Sequence, residues 1–139
     1  MSKHLLLPIP HLIVFVGALS AAACGGDEPP KLSEIQTTVF TVSCTFSACH
    51  AGANPKAALS LEAPVYDKIV NKDAVEKPGA KLVVPGDPDA SFLMDKLLNR
   101  NLPMAPAGET WGVMPLGGML EADRIENIRA WIAAGANND

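Results

Sequence analysis

The chain has few aromatic residues and few basic ones. The first shortage limits how the core can be filled, and the second limits which partners the protein can bind. Phe, Trp and Tyr make up 5% of its 139 residues, a low share for a core that must exclude water. A bound apolar group that adds bulk to one small domain would fit this composition. The formal net charge is -4, so we expect no nucleic-acid partner, and no Gly-rich phosphate loop occurs in the sequence.

Histidine and cysteine are also scarce, with three of each in the whole chain. A structural zinc site needs four ligands, yet His4 and His11 lie in the N-terminal leader, which leaves Cys44, Cys49 and His50 for the domain. A Cys-His nucleophile needs an oriented base, and adjacent positions in the chain do not provide that geometry. We therefore predict that the protein is not an enzyme.

The N-terminus has the pattern of an export signal. An apolar run interrupted by prolines leads to small residues and then to Cys24, so we predict a signal peptide at 1–23 and a flexible tether at 24–32. Cys24 stands where a bacterial lipoprotein carries its lipid. Ala21 replaces the usual Leu, which leaves open an ordinary cleavage after Ala23. We expect an exported, lipid-anchored protein, periplasm-facing or in the outer membrane.

Two thiols and an imidazole stand within seven residues, in the order Cys44-Thr45-Phe46-Ser47-Ala48-Cys49-His50. The usual haem-attachment signature is Cys-x-x-Cys-His, and here two further residues separate the thiols. In an exported protein both cysteines could bind a haem covalently, with His50 on the iron. They could instead close a disulfide beside an ordinary histidine. The residues alone leave both readings open.

Hydrophobic periodicity and start signals predict four helices. Ser33 is expected to cap the first helix, with Ile35, Val39 and Val42 on its buried face. The later predictions are a second helix from Pro64 to about Val70, a third that begins with Asp87 as N-cap and Pro88 in its first turn, and a last helix from about Glu121 to Ala134.

The segment 99–119 has no regular period and contains Met104, Met114 and Met119 among prolines and glycines. Irregular segments of this length in compact domains are usually functional, disordered or wrongly assigned, and we favour a functional one.

Four short motifs occur in a characteristic order: Cys-x4-Cys-His, Val-Pro-Gly-Asp-Pro-Asp-Ala-Ser-Phe-Leu, Val-Met-Pro-Leu-Gly-Gly and Ile-Arg-Ala-Trp-Ile-Ala-Ala-Gly-Ala. This order resembles the small cytochrome-c-like domains of exported myxobacterial and planctomycete proteins, over 33–136. The resemblance implies an all-α cytochrome c-like bundle of about four short helices joined by long loops. It also implies the site: haem c bound covalently to Cys44 and Cys49, iron held by His50, and Met114 as distal ligand with Met104 the second choice.

The function implied by this resemblance is one-electron transfer between redox partner proteins at the cell envelope. A methionine sulfur opposite an imidazole raises the reduction potential relative to two imidazoles, and two protein ligands leave no position for substrate. The alternative is a haem-free, disulfide-stapled envelope lipoprotein domain with a binding or structural role.

Overall fold

A computed structural model describes residues 28–106 and 112–139. The predicted signal peptide, Cys24 and the start of the tether lie outside these ranges. Within them the protein is all-α, with four helices and no strand. Helix α1 (32–43) consists of an α-helical turn at Leu32–Ile35, a π-helical segment at Gln36–Phe40 and a second α-helical turn at Thr41–Ser43. A 3-10 turn follows at Lys56–Ala58. The remaining helices are α2 (Tyr66–Ile69), α3 (Phe92–Leu98) and α4 (Ala122–Ala133).

The π-helical segment changes which face of α1 is buried. A π turn holds one residue more than an α turn, so the residues after it rotate around the helix axis. Phe40 is therefore buried beside Val39, whereas Val42 is 50% exposed. The prediction that Val42 shares the buried face is wrong for this reason. The hydroxyl of Thr41 donates to the carbonyl of Gln36, five residues back, at 2.7 Å.

Helices α2 and α3 both begin later than the sequence predicts. The Ala63–Pro64 peptide bond is cis and α2 starts at Tyr66, although Val65 and Ile69 are buried as expected. Asp87 does not cap α3. Its carboxylate accepts the backbone N–H groups of Asp89 and Ala90 at 3.1 and 3.0 Å, which closes a turn before the helix.

The last helix is confirmed. It runs over Ala122–Ala133, and Gly135 follows with a φ of 108°. Ile128, Trp131 and Ile132 are buried on its inner face. They belong to the same core cluster as the buried side chains of α1, and α4 packs against both α1 and α3.

The start of α1 is closed by the far end of the chain. The Asp139 carboxylate accepts the N–H of Leu32 at 2.9 Å, and the Asp139 carbonyl accepts the N–H of Ser33 at 3.1 Å. These bonds satisfy two of the donors that a helix N-terminus leaves free.

None of the helices in the described ranges is long and apolar enough to cross a membrane.

Candidate ligand-binding cavity

A cavity of about 450 Å³ opens where the end of α1, the 44–50 loop and α3 meet. Its volume lies in the range of pockets that hold small molecules or cofactors, about 300–1,000 Å³. Most of the wall is apolar, with contributions from Val39, Phe40, Leu61, Leu97 and Ile128. The two cysteines and the histidine of the 44–50 loop also line it, and Met114 lines it from the irregular segment. The structure therefore brings the main predicted site residues to one cavity.

The 44–50 loop is folded by its own backbone. Cys44 ends α1, and its N–H still donates to the Phe40 carbonyl at 2.9 Å. The N–H of Cys49 donates to the Phe46 carbonyl at 2.8 Å, which closes a four-residue turn. The N–H of His50 then returns to the Cys44 carbonyl at 3.1 Å. The two additional residues between the thiols are thus taken up in a turn, and both cysteines face the same cavity.

The ring of His50 is oriented by a backbone carbonyl. Its Nδ1 lies 2.9 Å from the carbonyl oxygen of Leu59. A carbonyl can only accept, so Nδ1 carries the proton and, in the neutral ring, Nε2 carries the lone pair. Metal-binding histidines commonly donate their other N–H in this way, which fixes the tautomer and the ring orientation. His50 therefore has the hydrogen bonding of an imidazole that binds a metal through Nε2.

Both thiols of the loop are free and half-buried. Burial, and secondarily the charge of Cys49, raise the pKa of the Cys44 thiol to about 11. Cys44 is therefore a neutral thiol at physiological pH, and a neutral thiol is a poor nucleophile.

The methionines of the described ranges occupy different environments. Met94 is fully buried in the core, whereas Met104 is 64% exposed and Met119 is 86% exposed. Met114 is half-buried in the cavity wall, and its N–H donates to the carbonyl of Lys96 at 2.9 Å. The structure therefore brings Met114, and not Met104, to the cavity that the cysteines line.

The cavity wall also contains an ion pair that the sequence does not reveal. Lys96 and Glu76 lie 2.7 Å apart, with side chains only 9% and 10% exposed. A second pair, Lys77 with Asp95 at 2.8 Å, lies beside it. The Phe92 ring lies between the two, with its centroid 5.5 Å from the Lys77 ammonium and 6.0 Å from that of Lys96. Together these contacts hold Glu76 and Lys77, which lie in the loop before α3, against α3 itself.

No spacing in the sequence points to the Glu76–Lys96 pair, because the two residues stand 20 positions apart in different elements.

Within 28–106 and 112–139, no three His, Cys, Asp or Glu side chains form a group that could hold a bare metal ion. A haem needs no such group, since the porphyrin supplies four of the iron ligands. Comparison with family models, curated proteins and solved structures finds no match to this chain.

Proposed function

We propose that the protein is a lipid-anchored monohaem c-type cytochrome that transfers single electrons between redox partners at the cell envelope. The observation that carries the proposal is the shared cavity: two thiols, an oriented imidazole and a half-buried methionine line one largely apolar space. Its volume suits a cofactor-sized ligand. The all-α architecture agrees with a cytochrome c-like bundle, which is the finer fold that we propose.

The residues present fit a haem in their chemistry. Cys44 and Cys49 are free thiols, the groups from which thioether bonds form. His50 would hold the haem iron through Nε2, and Met114 would hold it through its sulfur. A haem bound there would provide one-electron chemistry at its iron. The apolar wall would exclude water, and the methionine sulfur would raise the reduction potential relative to a second imidazole. If His50 and Met114 both held the iron, no ligand position would remain for substrate, so the expected role is that of a carrier and not of a catalyst.

A haem-free domain stapled by a Cys44–Cys49 disulfide is the second candidate. The folding of the loop favours it, because the N–H of His50 bonds back to the carbonyl of Cys44 and both cysteines line the same cavity. The size of the cavity and the orientation of His50 favour the haem, since a disulfide requires neither. We therefore place the cytochrome first.

The deciding experiment is an absorption spectrum of protein produced with the cytochrome c maturation machinery. We expect a haem spectrum that remains with the polypeptide after acid-organic extraction. The Cys44→Ala, Cys49→Ala double variant is the matched control, and extraction should remove any haem from it. Colourless wild-type protein with an oxidised cysteine pair would instead establish the stapled domain.

The proposed anchor is tested separately at Cys24, which lies outside the described residues. A Cys24→Ser variant should move from the membrane fraction to the soluble envelope fraction, because it has no thiol for the lipid. An unchanged distribution would contradict lipidation and leave the haem proposal intact.

A further inference from the structure

The charges around the cavity differ in sign from those of the chain as a whole. The chain carries a formal net charge of -4. Among the residues that the structure describes, the charged side chains that line the cavity are four lysines and two carboxylates: Lys56, Lys68, Lys72, Lys96, Asp73 and Glu76. An acidic protein therefore surrounds its main apolar space with an excess of positive charge.

The two carboxylates are already paired. Glu76 binds Lys96 at 2.7 Å, and Asp73 binds Lys81, which does not line the cavity, at 2.6 Å. The Lys68 ammonium donates to the backbone carbonyl of Glu62 at 2.7 Å, a contact that leaves its charge uncompensated. Within the described ranges, Lys56 and Lys72 have neither a carboxylate nor a carbonyl partner.

Lys56 and Lys72 reach the cavity from different elements. Lys56 begins the 3-10 turn, and its N–H donates to the carbonyl of Cys49 at 2.8 Å, so it is attached to the loop that holds the thiols. Lys72 follows α2 in the next part of the chain. Both are exposed, as expected of ammonium groups at a cavity mouth. A ligand with an apolar body and two acidic groups could place the body inside and the acids at these lysines.

We infer that Lys56 and Lys72 bind the carboxylates of an amphipathic, dianionic ligand whose apolar body fills the cavity. The inference rests on the proposed function, because the two propionates of a haem meet this description. It adds residues to the site that no sequence motif indicates. It also orients the ligand, with its acidic edge towards the mouth of the cavity.

The test uses the full chain with free thiols and compares protoporphyrin IX with its dimethyl ester, which has the same ring but no carboxylates. Binding is followed by porphyrin fluorescence at low and high salt. We expect the diacid to bind more tightly than the ester. Lys56→Gln and Lys72→Gln should each weaken diacid binding roughly two- to fivefold, the range for exposed charge pairs, with little effect on the ester. High salt should reduce the difference.

The control variants keep the fold and vary only the charge at the mouth. Lys56→Arg and Lys72→Arg should retain diacid binding, and Lys31→Gln, which removes an exposed lysine outside the cavity, should bind as the wild type does. Circular dichroism confirms that each variant is folded. If both porphyrins bind equally and the glutamine variants have no effect, the lysine inference is wrong while the proposed function stands. If neither porphyrin binds to folded protein, the lysine inference is wrong, and the haem spectrum of matured protein decides the proposed function separately.

Discussion

The two sides of the cavity are held in different ways. On one side, the 44–50 loop closes through bonds between residues a few positions apart, and a nearby carbonyl orients His50. On the other, Met114 is tied to α3 through the carbonyl of Lys96, and Lys96 is itself paired with Glu76. The first side is built locally and the second depends on tertiary contacts. We therefore expect substitutions on the first side to affect cofactor retention, and those on the second to affect its properties and the stability of the domain.

The largest expected effect is on the locally built side. His50→Ala removes the imidazole that we assign to the iron, so matured protein should lose its low-spin haem spectrum completely. Met104→Ala, which changes an exposed residue outside the cavity, is the control and should leave the spectrum unchanged. A low-spin spectrum retained by His50→Ala would show that another group binds the iron.

The second prediction concerns Met114. Met114→His replaces the proposed sulfur ligand by an imidazole, and should lower the midpoint potential by on the order of 0.2 V, within the roughly 0.8 V range that axial ligands cover. Covalent attachment should persist, because both cysteines remain. Spectroelectrochemistry gives the potential, and Met104→His is the matched control. If the midpoint potential fell in Met104→His but not in Met114→His, the sulfur ligand would be Met104 and not Met114.

The third prediction tests how the tertiary side is held. Lys96→Met leaves Glu76 as a buried charge without its partner, and should lower the free energy of unfolding by about 3 kcal/mol. Glu76→Leu should also destabilise the domain, because it leaves Lys96 as a buried charge. The double variant Lys96→Met, Glu76→Leu should recover most of the loss, since apolar replacements of buried pairs are often neutral. Denaturant unfolding measures all three, and additive losses would contradict a coupled pair.

The fourth prediction follows from the raised pKa of Cys44. Between its ordinary value of 9.0 and about 11, the thiol ionises in the unfolded chain but stays protonated in the folded one. The unfolded state then binds fewer protons, so stability falls as pH rises through this window, by at most about 1.4 kcal/mol per pH unit. Unfolding of the free-thiol protein at pH 8 to 11 measures this loss. Cys44→Ala should remove most of the pH-dependent loss of stability. Cys49→Ala should keep most of that loss, because burial contributes more than Cys49 to the raised pKa of Cys44. Equal losses in all three proteins would exclude Cys44 as the source.

The smallest effect is expected far from either side of the cavity. Asp139→Ala removes the carboxylate that accepts the Leu32 N–H and should lower stability by about 1 kcal/mol, the usual cost of losing a helix cap. Thermal unfolding measures it, and Asn137→Ala provides a nearby control at the same end of the chain. A loss well above that of the control, with an unchanged haem spectrum, is the expected pattern.

The sequence predicts α4, and it places the two thiols beside His50, because both features depend on residues close together in the chain. Ile128 and Ile132 recur at helical spacing, and the two thiols lie beside His50 before any folding occurs. It fails at Val42, since a π segment arises from backbone bonding that apolar spacing does not reveal. It also misplaces the start of α3, where Asp87 closes a turn and does not cap the helix.

The tertiary half of the site could be predicted only in part. Three methionines in one irregular segment look alike in sequence, and only the fold separates Met114 from the exposed Met104 and Met119. The sequence does not reveal the Glu76–Lys96 pair or the lysines at the cavity mouth, because scattered charged residues have the pattern of an ordinary solvated surface.

The most direct test of the central claim is the intact mass of matured wild-type protein in denaturing solvent. We predict the mass of the processed chain plus one haem, together with its complete loss in the Cys44→Ala, Cys49→Ala variant. A wild-type mass equal to the bare chain with an oxidised cysteine pair would contradict covalent haem and leave the cavity to another ligand.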